Sequence, residues 1–71
     1  MDKTELAKLQ AYLRRKFELD TIKVVARPKK KDSAEMFIGD EFVAVIYRDE
    51  EDGEISWNVQ MAILEMDLEE E

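Results

Sequence analysis

The sequence predicts an α+β fold in which an N-terminal helix packs on one face of a four-stranded antiparallel sheet. Apolar residues recur at helical spacing near the N-terminus, between Asp2 and Phe17. From Thr21 onward they occur in short runs, mostly alternating with polar residues and separated by turn residues. The first pattern is typical of one helix, and the second is typical of strands joined by hairpins.

The helix is predicted to run from Asp2 to Phe17. Asp2 as the N-cap residue, with Glu5 three positions later, resembles a capping box that satisfies free backbone N–H groups. Apolar residues at three- and four-residue spacing mark the face that packs on the sheet. This stripe consists of Leu6, Leu9, Leu13 and Phe17, with Tyr12 at its margin.

Four strands are predicted after the helix, at 21–27, 33–38, 42–47 and 55–64. Pro28 ends the first strand because proline has no N–H for the ladder. Gly39 and Asp40 turn the second strand into the third. A two-residue turn places Phe37 beside Phe42, whereas a three-residue turn exchanges the faces, and the sequence leaves both open. The order of one helix and four strands is like that of the cystatins, by architecture only.

The acidic loop 49–53 joins the third and fourth strands, and the rest of the sheet is organised around this hairpin. A type I turn closed by a bulge at Gly53 is predicted, because glycine accepts positive φ. This register places Ile46 opposite Trp57 and collects the large apolar side chains on the helix face. A one-residue slip would exchange the two faces.

The C-terminal segment allows two interpretations. Beyond Ile63 the alternation changes phase, which a bulge in a long last strand explains. A short C-terminal helix is the alternative, because residues 60–71 are rich in good helix formers. The strand is preferred, with a frayed tail at 69–71.

Size and composition limit the function. The 71 residues predict a single domain, 1–71, with a thin core that gains stability from a second copy or a partner. The sequence contains no cysteine and no histidine, so disulfides and Cys/His metal sites are excluded and a cytoplasmic location is expected. No apolar run is long enough to span a membrane. The net charge of −7 opposes non-specific binding to nucleic acid.

An association surface is predicted on the sheet face opposite the helix. One helix is expected to cover one face of the sheet, which leaves several large apolar residues for the other face. These residues are Val25, Val43, Val45 and Tyr47, with Phe37 or Met36 according to the length of the turn. Ser56, Asn58 and Gln60 are expected at the rim. The sequence therefore predicts a homo-oligomer, or a protein partner that covers this face.

A basic segment follows the first strand and is a candidate contact for an anion or a protein partner. It contains Arg27, Lys29, Lys30 and Lys31 around Pro28, in a connection expected to be exposed. Contact with RNA or DNA is the alternative function, although no glycine-rich or aromatic residues accompany the lysines. A solubilising loop that guards the sheet edge is the simpler interpretation.

No catalytic residue, metal ligand or cofactor is predicted. General-base catalysis would depend on carboxylates or lysine, and no serine or threonine lies beside a plausible base. The acidic loop fails the EF-hand template, since Arg48 occupies the first ligand position when Gly53 is the sixth. Trp57, Met36, Met61 and Met66 are interpreted as core, with a cavity for a small apolar ligand as the alternative.

Several segments carry a resemblance to a known family. The relevant residues are Asp2-Lys3, the basic 27–30, Ile38-Gly39-Asp40-Glu41-Phe42 and Gln60-Met61-Ala62-Ile63-Leu64. Over nearly its whole length the chain resembles the small alphaproteobacterial proteins grouped as domain of unknown function 3126. The resemblance implies a bacterial cytoplasmic protein, and it implies no activity, cofactor or catalytic residue.

Overall fold

The computed structural model describes residues 1–69, and its strands form one antiparallel sheet in the order β1-β2-β3-β4. The elements are α1 (Lys3–Phe17), β1 (Ile22–Arg27), β2 (Lys30–Ile38), β3 (Glu41–Glu51), β4 (Glu54–Gln60) and a C-terminal 3₁₀ helix (Glu65–Glu69). The predicted α+β arrangement of one helix followed by four antiparallel strands is confirmed. No helix within residues 1–69 has the length and apolar character needed to cross a membrane.

Helix α1 begins and ends with identifiable caps. The side chain of Asp2 accepts a hydrogen bond from the backbone N–H of Glu5 at 2.8 Å, as the sequence predicts. At the other end Glu18 adopts φ 52°, in the left-handed region. The backbone N–H of Leu19 then donates to the carbonyl of Arg14 at 3.0 Å, which satisfies one of the last helical carbonyls.

The core lies between α1 and the first three strands. Its buried apolar residues are Leu13, Ile22, Val24, Ala34, Met36, Ala44 and Ile46. Helix α1 packs chiefly against β1, the edge strand at one side of the sheet. Every residue of β4, the opposite edge strand, is exposed. The helix therefore covers one side of its sheet face and leaves the other side open.

The β2–β3 hairpin has the two-residue turn, with Ile38 opposite Glu41 and Phe37 opposite Phe42. The two phenylalanine rings meet edge to face, with centroids 5.8 Å apart. The register then shifts, so that Met36 pairs with Ala44. Val43 is the extra residue of this bulge and packs against the core. Its predicted place on the second sheet face is therefore wrong.

The β3–β4 hairpin is tighter than predicted. Glu51 pairs with Glu54, so Asp52 and Gly53 alone form the turn, with φ 52° and 81°. Two positive φ values are typical of a type I′ turn, which matches the twist of the flanking strands. Ile46 consequently lies opposite Val59, two residues from its predicted partner. The faces are unchanged, because a slip of two residues preserves the side-chain alternation.

Two further predictions about the strands need correction. The basic segment is not an irregular connection over 29–32, because β2 already begins at Lys30 and a tight turn at Pro28-Lys29 joins it to β1. The last strand stops at Gln60, and a 3₁₀ helix follows over 65–69. The preferred C-terminal strand is thus wrong beyond Gln60, and the helical alternative is closer. Most of the predicted frayed tail lies outside the described residues.

Candidate interaction groove

An apolar groove runs between α1 and β4 on the helix side of the sheet, and we call it the α1–β4 groove. Its two halves have volumes of about 630 and 490 Å³. Tyr12, Leu13 and Val59 line both halves, so the groove is continuous along the helix. Trp57 lines the half near the helix N-terminus, and Met61 lines the half near its C-terminus.

Hydrogen bonds from the helix to β1 position α1 on the far side of the sheet from β4. The side chain of Gln10 accepts a hydrogen bond from the backbone N–H of Val24 at 3.0 Å. The guanidinium of Arg14 donates to the carbonyl of Ile22 at 2.8 Å. These bonds occupy outward-pointing backbone groups of an edge strand, which protects that edge from pairing with another chain. They also draw the helix away from β4.

The wall of the groove formed by β4 is apolar and solvent-exposed. Ile55, Trp57 and Val59 alternate along β4 and are 43%, 39% and 48% exposed. On the helix side, Tyr12 and Phe17 are also exposed and line the groove. Large apolar side chains on both walls therefore face water across the groove, as expected of an interaction surface.

A polar cluster closes the end of the groove near the helix N-terminus. The indole N–H of Trp57 donates to Oε2 of Glu5 at 2.8 Å. Nε of Arg48 lies 3.5 Å from the same oxygen and forms an ion pair with it. This nitrogen is buried and has no hydrogen-bond partner among residues 1–69. Glu5 therefore joins the first turn of α1 to both β3 and β4, instead of closing the predicted capping box.

The second sheet face carries most of the predicted interface residues, but it is not continuously apolar. Val25 and Tyr47 are exposed, and Val45 and Phe37 are partly buried. Glu35 lies between Val25 and Val45 in the strand register, so a carboxylate interrupts the row of valines. Alternation with Phe37 in the sequence is the signal that places Glu35 on this face.

The structure divides the predicted basic segment into two parts. Arg27 is partly buried and donates to the hydroxyl of Ser33 at 3.2 Å, with Nε 4.0 Å from Oε2 of Glu35. Its guanidinium is thus directed at its own sheet. Lys29, Lys30 and Lys31 are exposed at and after the β1–β2 turn, and the N-terminal ammonium donates to the carbonyl of Lys31.

The sequence interpretation of Trp57, Met36, Met61 and Met66 as core residues is wrong for three of the four. Met36 is buried as predicted, whereas Trp57, Met61 and Met66 are exposed. The difference in width between one helix and a four-stranded sheet is the signal that could have predicted these exposed residues. A helix is roughly 10 Å across with its side chains, while four strands about 4.8 Å apart span roughly 15–19 Å. One helix therefore leaves part of this sheet face uncovered.

The acidic hairpin tip forms no cation cage. Within the described part of the chain, no group of three or more Asp and Glu residues is arranged to hold a metal ion. One carboxylate near the tip, that of Glu50, lies 3.7 Å from Nη2 of Arg48. Both Glu50 and Asp49 are exposed, and ion pairs of this kind contribute little to stability.

Comparison with known proteins identifies the family. No curated protein and no solved structure matches the chain. A family model described as "Protein of unknown function (DUF3126)" matches residues 5–67, which include most of α1, all four strands and most of the C-terminal segment. The alphaproteobacterial origin implied by the resemblance stays a prediction. The chain belongs to the DUF3126 family.

Proposed function

We propose that this protein is a non-enzymatic interaction module that associates with itself through the α1–β4 groove. The observation that carries the proposal is the exposed apolar wall of β4, formed by Ile55, Trp57 and Val59. The sequence predicts the same function on the second sheet face. That face is the poorer surface, because Glu35 and its ion pair with Arg27 lie among the valines.

The dimensions of the chain support association. Its accessible surface is 5927 Å², whereas a folded monomer of its mass exposes roughly 4,600 Å². The radius of gyration is 13.3 Å, against roughly 11 Å for a compact chain of this length. The excess of roughly 1,300 Å² exceeds the roughly 800 Å² that one partner contributes to an interface of standard size. A second copy would bury surface that this fold leaves exposed.

The two edges of the sheet differ in a way that favours the same side. The side chains of Gln10 and Arg14 form hydrogen bonds with backbone groups at the edge of β1. Strand β4 is the other edge, and its sequence contains no proline and no lysine to block pairing with another chain. Association is therefore expected on the β4 side of the molecule.

Sedimentation equilibrium on a matched pair of lysine variants tests the proposal. Val59 faces the groove and Val45 faces the second sheet face, and neither side chain is fully buried. Wild-type protein and Val45→Lys are expected to dimerise at concentrations of about 10–100 µM, whereas Val59→Lys weakens the dimer about tenfold or more. A wild-type monomer throughout this range contradicts the proposal, and loss of dimer in Val45→Lys alone returns the interface to the second face.

The expected cytoplasmic location is part of this proposal. Fractionation of the native cell, with an antibody against the chain, tests it. Recovery of the protein from the cytoplasmic fraction supports the location, and recovery from the periplasm or a membrane fraction contradicts it.

Contact with RNA or DNA is the second candidate function, and the exposed lysines of the β1–β2 turn favour it. Lys29, Lys30 and Lys31 are all exposed, whereas Arg27 is bound to its own sheet. Three lysines predict weak binding that falls steeply with salt. A gel-shift assay at about 50 and 200 mM salt tests this function. Binding that persists when all three lysines become glutamine contradicts it.

A further inference from the structure

We propose that the α1–β4 groove is filled by the C-terminal segment of a second copy, so that two chains exchange residues 61–69. This inference rests on the proposed self-association and identifies what occupies the interface. Four observations carry it: the apolar character of the segment, its length, its charge, and the direction in which it leaves β4.

The C-terminal segment is apolar and exposed, although it has a local fold. Ile63, Leu64, Met66 and Leu68 are all more than half exposed. The backbone N–H of Leu64 donates to the carboxylate of Asp67 at 2.9 Å, and the N–H of Asp67 donates to the carbonyl of Leu64 at 2.9 Å. The segment is thus shaped before binding, which lowers the entropy cost of docking.

The lengths of the groove and of the segment agree. The groove follows β4, whose seven residues span roughly 23 Å. The C-terminal segment has four residues without regular secondary structure followed by five residues of 3₁₀ helix, and it also spans roughly 23 Å when the first four are extended. One segment is therefore long enough to fill one groove along its length.

The charges of the groove and of the segment are complementary. Helix α1 contains five basic residues and one acidic residue, Glu5, whose carboxylate is already in contact with Arg48 and Trp57. Lys8 and Lys16 line the groove. The segment contains Glu65, Asp67 and Glu69 and no basic residue. An acidic, apolar segment is therefore suited to a groove with an apolar floor and lysines on the helix side.

The direction of the chain after β4 favours docking of the C-terminal segment in the groove of a second copy over docking in the groove of its own chain. The chain leaves β4 after Gln60, and Met61 lines the end of its own groove near Phe17. Entering that groove would require an immediate reversal along β4. Residues 61–64 contain no glycine, proline, asparagine or aspartate to form such a turn. Reciprocal exchange needs no reversal, and it gives a closed dimer with two equal contacts.

A charge-exchange experiment on the full chain tests the inference. The groove variant carries Lys8→Glu with Lys16→Glu, and the segment variant carries Glu65→Lys with Glu69→Lys; all four side chains are exposed, so the core is untouched. Each variant alone places like charges at both contacts, and its dimer dissociation constant is expected to rise about tenfold or more. In an equimolar mixture both contacts of the heterodimer regain opposite charges, so the constant returns to within about threefold of wild type.

The outcomes separate this inference from the proposed function. Variants that dimerise as well as wild type overturn the exchange and leave self-association standing. Variants that are weakened alone and not restored by mixing also overturn it, because the segment then acts within its own chain. A monomeric wild type overturns both proposals. Ile63→Asp, an exposed apolar change in the same segment, is expected to weaken the dimer in any mixture, and a dimer unaffected by Ile63→Asp overturns the exchange.

Discussion

The indole N–H of Trp57 donates a hydrogen bond to Oε2 of Glu5 at 2.8 Å, across 52 positions of sequence. This bond joins the first turn of α1 to the outermost strand of the sheet. It fixes one end of the α1–β4 groove, while Tyr12 and Phe17 along the helix remain exposed. The two walls of the groove are therefore joined near the N-terminus of α1, and the groove is open along the rest of its length.

The bond between Trp57 and Glu5 is expected to contribute a measurable coupling energy. In a double-mutant cycle of Trp57→Phe and Glu5→Ala, we expect about 0.5–1.5 kcal/mol of coupling. Urea unfolding at one fixed protein concentration measures it, since association changes apparent stability. Strictly additive effects of the two changes would show that the bond contributes nothing.

Replacing Gln10 with alanine is expected to destabilise the protein and unmask the β1 edge. The change removes the acceptor of a partly buried hydrogen bond donated by the backbone N–H of Val24. We expect a loss of about 1 kcal/mol in the free energy of unfolding, and slow aggregation through the exposed edge. Lys3→Ala, an exposed change in the same helix, serves as the control and is expected to cost less than about 0.5 kcal/mol. Equal behaviour of the two variants would contradict the role of Gln10.

Glu18→Gly is expected to stabilise the protein. Glu18 adopts φ 52° at the end of α1, where a side chain is strained and glycine is not. We expect a gain of about 0.5–1 kcal/mol in the free energy of unfolding. Asp20 is also exposed but does not have a positive φ, and Asp20→Gly is expected to cost a similar amount. Thermal unfolding measures whether Glu18→Gly raises the stability and Asp20→Gly lowers it. A Glu18→Gly variant less stable than wild type would contradict backbone strain at Glu18.

Substitution of Gly53 separates backbone strain from steric overlap. Gly53 has φ 81°, and a Cβ added there would meet no atom within 4 Å. Gly53→Ala is therefore expected to cost about 1–2 kcal/mol through backbone conformation alone. Gly53→Asn is expected to cost less, since asparagine tolerates this region. Equal losses for the two variants in urea unfolding would exclude this explanation.

The local pattern of the sequence determined the elements, but not every register. The stripe on α1 and the alternation in the strands predict one helix, four strands and their order. The β3–β4 pairing lies two residues from the prediction because alternation has a period of two and cannot detect such a slip. The positive φ of Asp52 decides the register there. Asp-Gly is a residue pair that favours a two-residue type I′ turn, so the sequence does contain a signal for the observed register.

The candidate site was harder to predict because it depends on where the helix lies across the sheet. The apolar stripe of α1 indicates that the helix packs on the sheet, but it does not indicate which strands the helix covers. Gln10 and Arg14 decide that through bonds to β1. The bulge beside Phe37 then turns Val43 toward the core. These interactions join residues distant in sequence, and periodicity does not report them.

Acrylamide quenching of Trp57 fluorescence, measured across protein concentration, tests the central claim most directly. Trp57 is the only tryptophan in the sequence and lines the groove, 39% exposed in the single chain. Between about 1 and 200 µM protein, we expect the quenching constant to fall severalfold and the emission to shift to the blue as a second copy covers the groove. An unchanged quenching constant and emission over that range would contradict the account.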